Sequence, residues 1–191
     1  MVSNRRRSVS ISLVSALIIA LVSPLTVALG TLTMSKGYYG QQAVEEAARH
    51  FNFRGPVDPV AAHVIEEEGF VPSVYKDDVG IDTFGVGQTA EYIDKNFFTE
   101  VFPAKEREVK KKIPGYDGLP TEMKQAVMSA HYRGDLGPKT VKLINAGKWD
   151  EAAKEYLNHA EYKKRRAKDK NDGVVQRMER NARAMWQAAR G

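Results

Sequence analysis

The sequence predicts an α+β fold: a small β-hairpin sheet lobe beside a mostly helical lobe, preceded by an N-terminal hydrophobic helix. Three observations carry this expectation. Residues from Val74 to Val86 read as strand, turn and strand; apolar residues recur at helical spacing around that stretch; and no charge occurs from Ser8 to Ser35. At 191 residues the chain has room for one domain of ordinary size plus an appendage. It divides into an N-terminal apolar segment (1-36), a linker with a short amphipathic helix (37-59) and a main domain (60-191).

The composition, 42% hydrophobic and 28% charged, is that of a globular protein. A main domain of about 130 residues buries enough apolar surface to need no covalent staple. The chain has no cysteine, which excludes disulfides, thiolate catalysis and cysteine-based zinc sites. A net charge of +5 points to an anionic partner: nucleic acid, membrane surface or cell wall.

The first element follows Arg5, Arg6 and Arg7. Its apolar centre is Leu13 to Val22, and the uncharged stretch covers the roughly 20 residues that a membrane-crossing helix needs. The arginines belong on the cytoplasmic side, which places everything after Lys36 outside. Pro24 and the small residues of Ala28-Leu29-Gly30 are features of a cleaved signal peptide. Leu25, Val27, Leu29, Leu32 and Met34 prolong the apolar run and are features of a retained anchor. Ser, Thr, Ala and Gly dilute the segment, so its hold on a bilayer is weak.

Gly37-Tyr38-Tyr39-Gly40 reads as a joint, and Gln41 to Phe53 as a helix with Val44, Ala47, Ala48 and Phe51 on one face. Asp58 is placed to cap a helix that has Pro59 in its first turn, runs to Glu68 and stops at Gly69. Val74-Tyr75-Lys76, a turn over Asp77 to Gly80, and Ile81 to Val86 form the hairpin. Further helices are expected around Glu91–Phe98, Lys105–Lys112, Thr121–Tyr132, Pro138–Asn145, Trp149–Leu157 and Val174–Ala189. Pro103, Pro114-Gly115, Gly118 to Pro120, Gly134 to Gly137, Gly147 and Gly173 separate them.

Two carboxylates in contrasting settings stand out. Glu68, at a helix end before Gly69 and Phe70, has the apolar neighbours that suit a proton donor, with Glu66 and Glu67 alongside. Asp77, in the hairpin turn, has the solvated setting of a base, and Thr83 is placed to turn a hydroxyl toward the same water. Such a pair serves glycoside hydrolysis, in which one group protonates the leaving oxygen and the other serves the attacking water or attacks itself. Surface pairs at similar spacing are common, and the pattern alone is more often plain surface charge than catalysis.

The stretch Glu68-Gly69-Phe70-Val71-Pro72-Ser73-Val74-Tyr75-Lys76-Asp77, followed by Thr83-Phe84-Gly85-Val86-Gly87, resembles the active-site segment of phage-type lysozymes, glycoside hydrolase family 24. That family spaces Glu, eight residues, Asp or Cys, five residues and Thr, as this chain does. Leu143 to Trp149 with Ala152 and Ala153, and Gly173 to Arg177 with Ala182 and Trp186, are similar to later words of the family, so the resemblance spans roughly Val60 to Gln187. It implies Glu68 as general acid, Asp77 as base for water, Thr83 as its positioner, and inversion at the anomeric carbon. It implies a muramidase acting on peptidoglycan glycan strands for phage-driven host lysis, with no cofactor and no metal. The weakly apolar N-terminus resembles that of signal-arrest-release endolysins. A retained or releasable anchor in the host inner membrane is therefore expected, with the catalytic domain on the periplasmic side.

This chain departs from the family at Gln88, where many relatives have His, and at Arg133-Gly134-Asp135, where they often have Asn-x-Gly. Asp78 and Asp82 neighbour the motif, and spacing alone selects Asp77. The basic run Lys163 to Lys168 reads as a solvated helix end or loop, with weak attraction to an anionic wall or outer-membrane surface as the functional reading. No recognition motif accompanies that charge, so no nucleic-acid partner is expected. His50, His63, His131 and His159 lack metal-ligand spacing, Trp149 and Trp186 read as packing residues, and a monomer is expected. A virion-borne wall hydrolase for genome entry and a catalytically silent, membrane-anchored wall-binding protein are the alternative functions.

Overall fold

The computed structural model describes residues 37–77 and 79–190. In chain order these are α1 (Gly40–His50), α2 (Pro59–Glu68), β1 (Val71–Lys76), β2 (Asp82–Gly85) and β3 (Gln88–Thr89). A 3-10 turn (Ala90–Tyr92) and a π turn (Phe97–Val101) lead into α3 (Phe102–Lys112). Another 3-10 turn (Tyr116–Gly118) precedes α4 (Thr121–Tyr132), α5 (Pro138–Asn145), α6 (Trp149–Tyr156), α7 (Ala160–Lys168) and α8 (Gly173–Ala188). The result is α+β and mostly helical, with one three-stranded antiparallel sheet in the order β1-β2-β3. The apolar run read as a membrane helix lies outside the described residues. Among the described residues no helix is long and apolar enough to cross a membrane.

Helix α2 begins and ends where its sequence dictates. The Asp58 carboxylate accepts from Val60 N at 2.8 Å and Ala61 N at 3.1 Å, satisfying two otherwise orphaned amides. Pro59 occupies the first turn, where its missing N–H costs nothing. Gly69 ends the helix at φ +77, and a Cβ there would meet Tyr38 O at 2.9 Å, so only glycine fits. Tyr38 approaches closely because it and Phe70 exchange backbone hydrogen bonds of 2.8 and 2.9 Å.

That exchange changes the reading of residues 37–59. They are not a linker in packing: Gly37 onward forms one compact unit, and Ala43, Val44 and Ala47 of α1 are buried against α2. The small side chains at this spacing let the two helices approach closely. Beyond α1, the rings of Phe51 and Phe53 pack on Phe70, Phe84 and Phe98. The helix expected to reach Phe53 stops at His50, and Asn52 turns the chain at φ +51.

Two further expectations are corrected. Glu91–Phe98 is not one helix, because Gln88 Nε2 donates to the carbonyls of Tyr92 and Lys95, at 2.8 Å each, which a continuous helix would pair internally. Asn96 then starts a new turn by capping Phe98 N and Thr99 N. Pro103 is not a breaker; it sits in the first turn of α3, where proline is tolerated. The two-residue β3 was not anticipated. Its partner β2 pairs Thr83 with Thr89 and Phe84 with Gln88.

Helix α4 is the hub. It is buried nearly all round, from Met123 to His131, and packs against α2, α3 and α8. Helices α6 and α7 then pack on α8, and α5 packs on α6. The basic run is helix α7, its Lys and Arg side chains exposed, and Trp149 and Trp186 pack partly buried against the core.

His131 joins α4 to α3. Lys112 Nζ lies 3.3 Å from its Nδ1, and Glu108 Oε2 lies 3.0 Å from its Nε2. An ammonium can only donate, which assigns the ring proton to Nε2, facing the carboxylate. Burial, helped by Lys112, pushes the His131 pKa below its ordinary value of 6.5, and burial does the same to His63. A histidine whose folded pKa is depressed leaves the unfolded state to take up the proton first. This contribution to stability is therefore complete above pH 6.5 and is lost as pH falls through the folded-state values. Urea denaturation is expected to show stability declining from pH 7.5 to 5.5, with a shallower decline in His131→Gln. Asp58→Ala should cost about 1 kcal/mol at any pH in that range, read from the urea midpoint.

Candidate active site

The helix α2 cap fixes where Glu68 emerges, and α8 supplies its partner. Arg177 Nη1 donates to Glu68 Oε1 at 2.6 Å, Arg177 Nε pairs with Glu67 Oε2 at 2.7 Å, and Nη2 donates to Glu67 O. A planar guanidinium suits three such acceptors; an ammonium does not. Arg180 grips Glu67 from the next turn of α8, at 2.7 and 2.9 Å. The immediate partner of Glu68 is thus a cation rather than the apolar surface the sequence suggested, and the charge on Glu67 is spent on two arginines. Glu66 is exposed.

Glu68 Oε2 points elsewhere. A Cβ built on Gly87 would lie 3.7 Å from it and 4.0 Å from Tyr132 Cε1, so this oxygen faces the turn between β2 and β3. Beyond that turn lies a pocket of about 260 Å3 lined by Gly87, Thr89, Tyr92, Val101, Lys105 and Tyr132.

Asp77 and Thr83 form a second, local unit centred on Ile81. Asp77 Oδ1 accepts from Val79 N at 3.0 Å and Ile81 N at 2.8 Å, while Ile81 O accepts from Asp77 N at 3.0 Å and from Thr83 Oγ1 at 3.2 Å. The hairpin turn therefore locks one carboxylate oxygen in place and leaves Oδ2 outside these bonds. Thr83 is buried and spends its only proton on Ile81 O, so its hydroxyl can receive a hydrogen from a water but not supply one. Asp82 is held by Lys76 at 2.6 Å, which separates it from Asp77; Asp78 lies outside the described residues.

The structure therefore joins Asp77 to Thr83 through one backbone residue and sets Glu68 apart, across β1. Each carboxyl has one oxygen fixed and the other turned away from its holder. Such a pair can move protons at two points of a bound molecule.

No protein-family model and no curated protein matches this sequence. The reading of the site rests on its residues.

Gln88 lines the pocket beyond the β2–β3 turn as well, but its side chain serves the backbone. It is buried; its amide nitrogen ties down the Tyr92 and Lys95 carbonyls, and its Oε1 would lie 2.6 Å from a Cβ at Gly85, whose φ of +60 already favours glycine. Arg133 pairs with the buried Asp135 at 2.7 Å and with Glu161 at 3.7 Å. Asp135, His159 and Glu161 have ligand atoms within 4.8 Å of one another, the spacing of a metal site, but the Arg133 guanidinium already meets the charge of both carboxylates. Sequence reasoning missed the roles of Arg177 and Tyr132. The only cue for Arg177 was its place in Gly173-Val174-Val175-Gln176-Arg177; Tyr132 had none.

Removing the guanidinium leaves two adjacent carboxylates without their main partner. Arg177→Met is expected to lower stability by about 2 kcal/mol, below the cost for a fully buried pair because Arg180 still holds Glu67. Chemical denaturation of the variant against the wild type checks this. Arg177→Lys should recover only part of the loss.

Proposed function

We propose that this chain is a muramidase that hydrolyses the β-1,4 bond between N-acetylmuramic acid and N-acetylglucosamine in peptidoglycan. The observation that carries the reading is the division of labour between the two carboxyls. Glu68 has one oxygen held by Arg177 and the other open beside Gly87; Asp77 is locked in the hairpin turn with Thr83. The resemblance of the same three residues, at the same spacing, to phage-type lysozymes supports it independently.

In this mechanism Glu68 enters protonated on Oε2, with Oε1 still accepting from Arg177, and gives that proton to the glycosidic oxygen as the bond to the anomeric carbon breaks. Asp77 Oδ2 takes a proton from a water that attacks the opposite face of the sugar. The Thr83 hydroxyl oxygen accepts that water's second hydrogen and aims its lone pair. A water between base and sugar gives an inverted product. The fold is lysozyme-like on this reading, and the N-terminal apolar run delivers the enzyme to the outer side of the host inner membrane, as a retained or releasable anchor, for lysis by a phage.

Purified protein is expected to clear peptidoglycan in a zymogram. Glu68→Gln should lower the rate by at least a hundredfold, since a general acid is worth about 10²–10⁴. Asp77→Asn should lose activity by a similar factor, and Asp82→Asn should keep most of it. Undiminished clearing by Glu68→Gln would remove the acid assignment. Loss in Asp82→Asn with retention in Asp77→Asn would show that the base is the wrong aspartate.

A further inference from the structure

Arg177 settles which oxygen of Glu68 is available, and the question becomes what shapes the space in front of it. That space is bounded by the Val86-Gly87 turn. Val86 is fully buried, so its carbonyl needs a partner, and Tyr132 Oη donates to it at 2.7 Å from the last residue of α4. Tyr132 is itself braced by an edge contact with Phe97, ring centroids 6.3 Å apart. The hydroxyl belongs to the helical body and the carbonyl to the sheet, 46 residues earlier in the chain.

Resting on the muramidase reading, we propose that Tyr132 is a positioning residue for proton transfer at Glu68. Its hydroxyl holds the Val86-Gly87 turn at a set height over Glu68 Oε2 and so fixes where the glycosidic oxygen can sit. Three features make the bond suited to this. It is made to backbone, so it sets the path of the turn rather than the rotamer of one side chain. It ends beside Gly87, whose bare Cα leaves the approach to Oε2 open. The hydroxyl is also a permanent donor, because burial, reinforced by the Glu68 charge, pushes the Tyr132 pKa far above the ordinary tyrosine range.

Packing alone would ask only for the ring. Tyr132→Phe keeps the ring and its contact with Phe97 and deletes the one hydrogen bond, so it separates the two roles. A small error in the height of the turn acts on the reacting geometry rather than on the rest of a long glycan, so the loss should fall in kcat.

The experiment compares full-length wild type and Tyr132→Phe on soluble, un-cross-linked glycan strands, measuring new reducing ends, with amide exchange followed by mass spectrometry. The expected result is kcat lowered about tenfold, KM within about twofold, and faster exchange confined to the β2–β3 turn. Unchanged kcat, or a loss confined to KM, overturns the assignment of Tyr132. If wild type itself releases no reducing ends while retaining its folded exchange pattern, the muramidase reading fails and takes this inference with it. Wild-type turnover with an indifferent Phe variant sinks the inference alone.

Discussion

The Arg177 guanidinium holds the site together. It reaches from α8 to the end of α2 and binds three acceptors there: the Glu68 carboxylate, the Glu67 carboxylate and the Glu67 carbonyl. More than a hundred residues separate these partners, so the contact exists only once α4 has brought α2 and α8 together. The side chains are 11–21% exposed, dry enough for the attraction to count and wet enough that the charges need no further compensation. Two adjacent carboxylates would otherwise repel; one planar cation organises both and leaves a single oxygen of Glu68 facing the sheet.

The other half of the site has a different physical origin. Asp77, Ile81 and Thr83 are knotted by hydrogen bonds within seven residues, and nothing distant is needed to form them. An aspartate that accepts two amides of its own turn is a local motif that a short peptide can encode. The site thus pairs a locally made element, the hairpin turn, with a globally made one, the carboxyl of Glu68. β1 connects them, and the strand pairings Val71 with Gly85 and Tyr75 with Thr83 set their relation.

Backbone carbonyls account for the less obvious side chains around this arrangement. Gln88, where many phage-type lysozymes have His, supplies donors to the chain after β3 and diverts it from a continuous helix. The Tyr132 hydroxyl does the same for Val86, and the backbone N–H of Tyr38 does so for Phe70. Each satisfies a polar group that burial would otherwise leave unpaired. The segment before α2 belongs to the same scheme: by pairing with Phe70 and packing α1 on α2, it braces the chain two residues beyond Glu68.

What the sequence determined by itself was local. Asp58, Pro59 and Gly69 were enough to place α2, alternation and turn residues to place the hairpin, and breakers to place α4, α5, α6 and α8 to within a residue or two. The match of spacing and flanking words to phage-type lysozymes, not residue chemistry alone, singled out Glu68, Asp77 and Thr83. Only the tertiary structure decided that Glu68 faces Arg177 rather than apolar surface, that residues 37–59 pack into the body, that Gln88 is internal and that Tyr132 reaches Val86. The reason is range. Caps, turns and periodicity act over four or five residues and leave a readable trace, whereas these contacts join groups 32 to 110 positions apart or depend on burial, which no short window of sequence records.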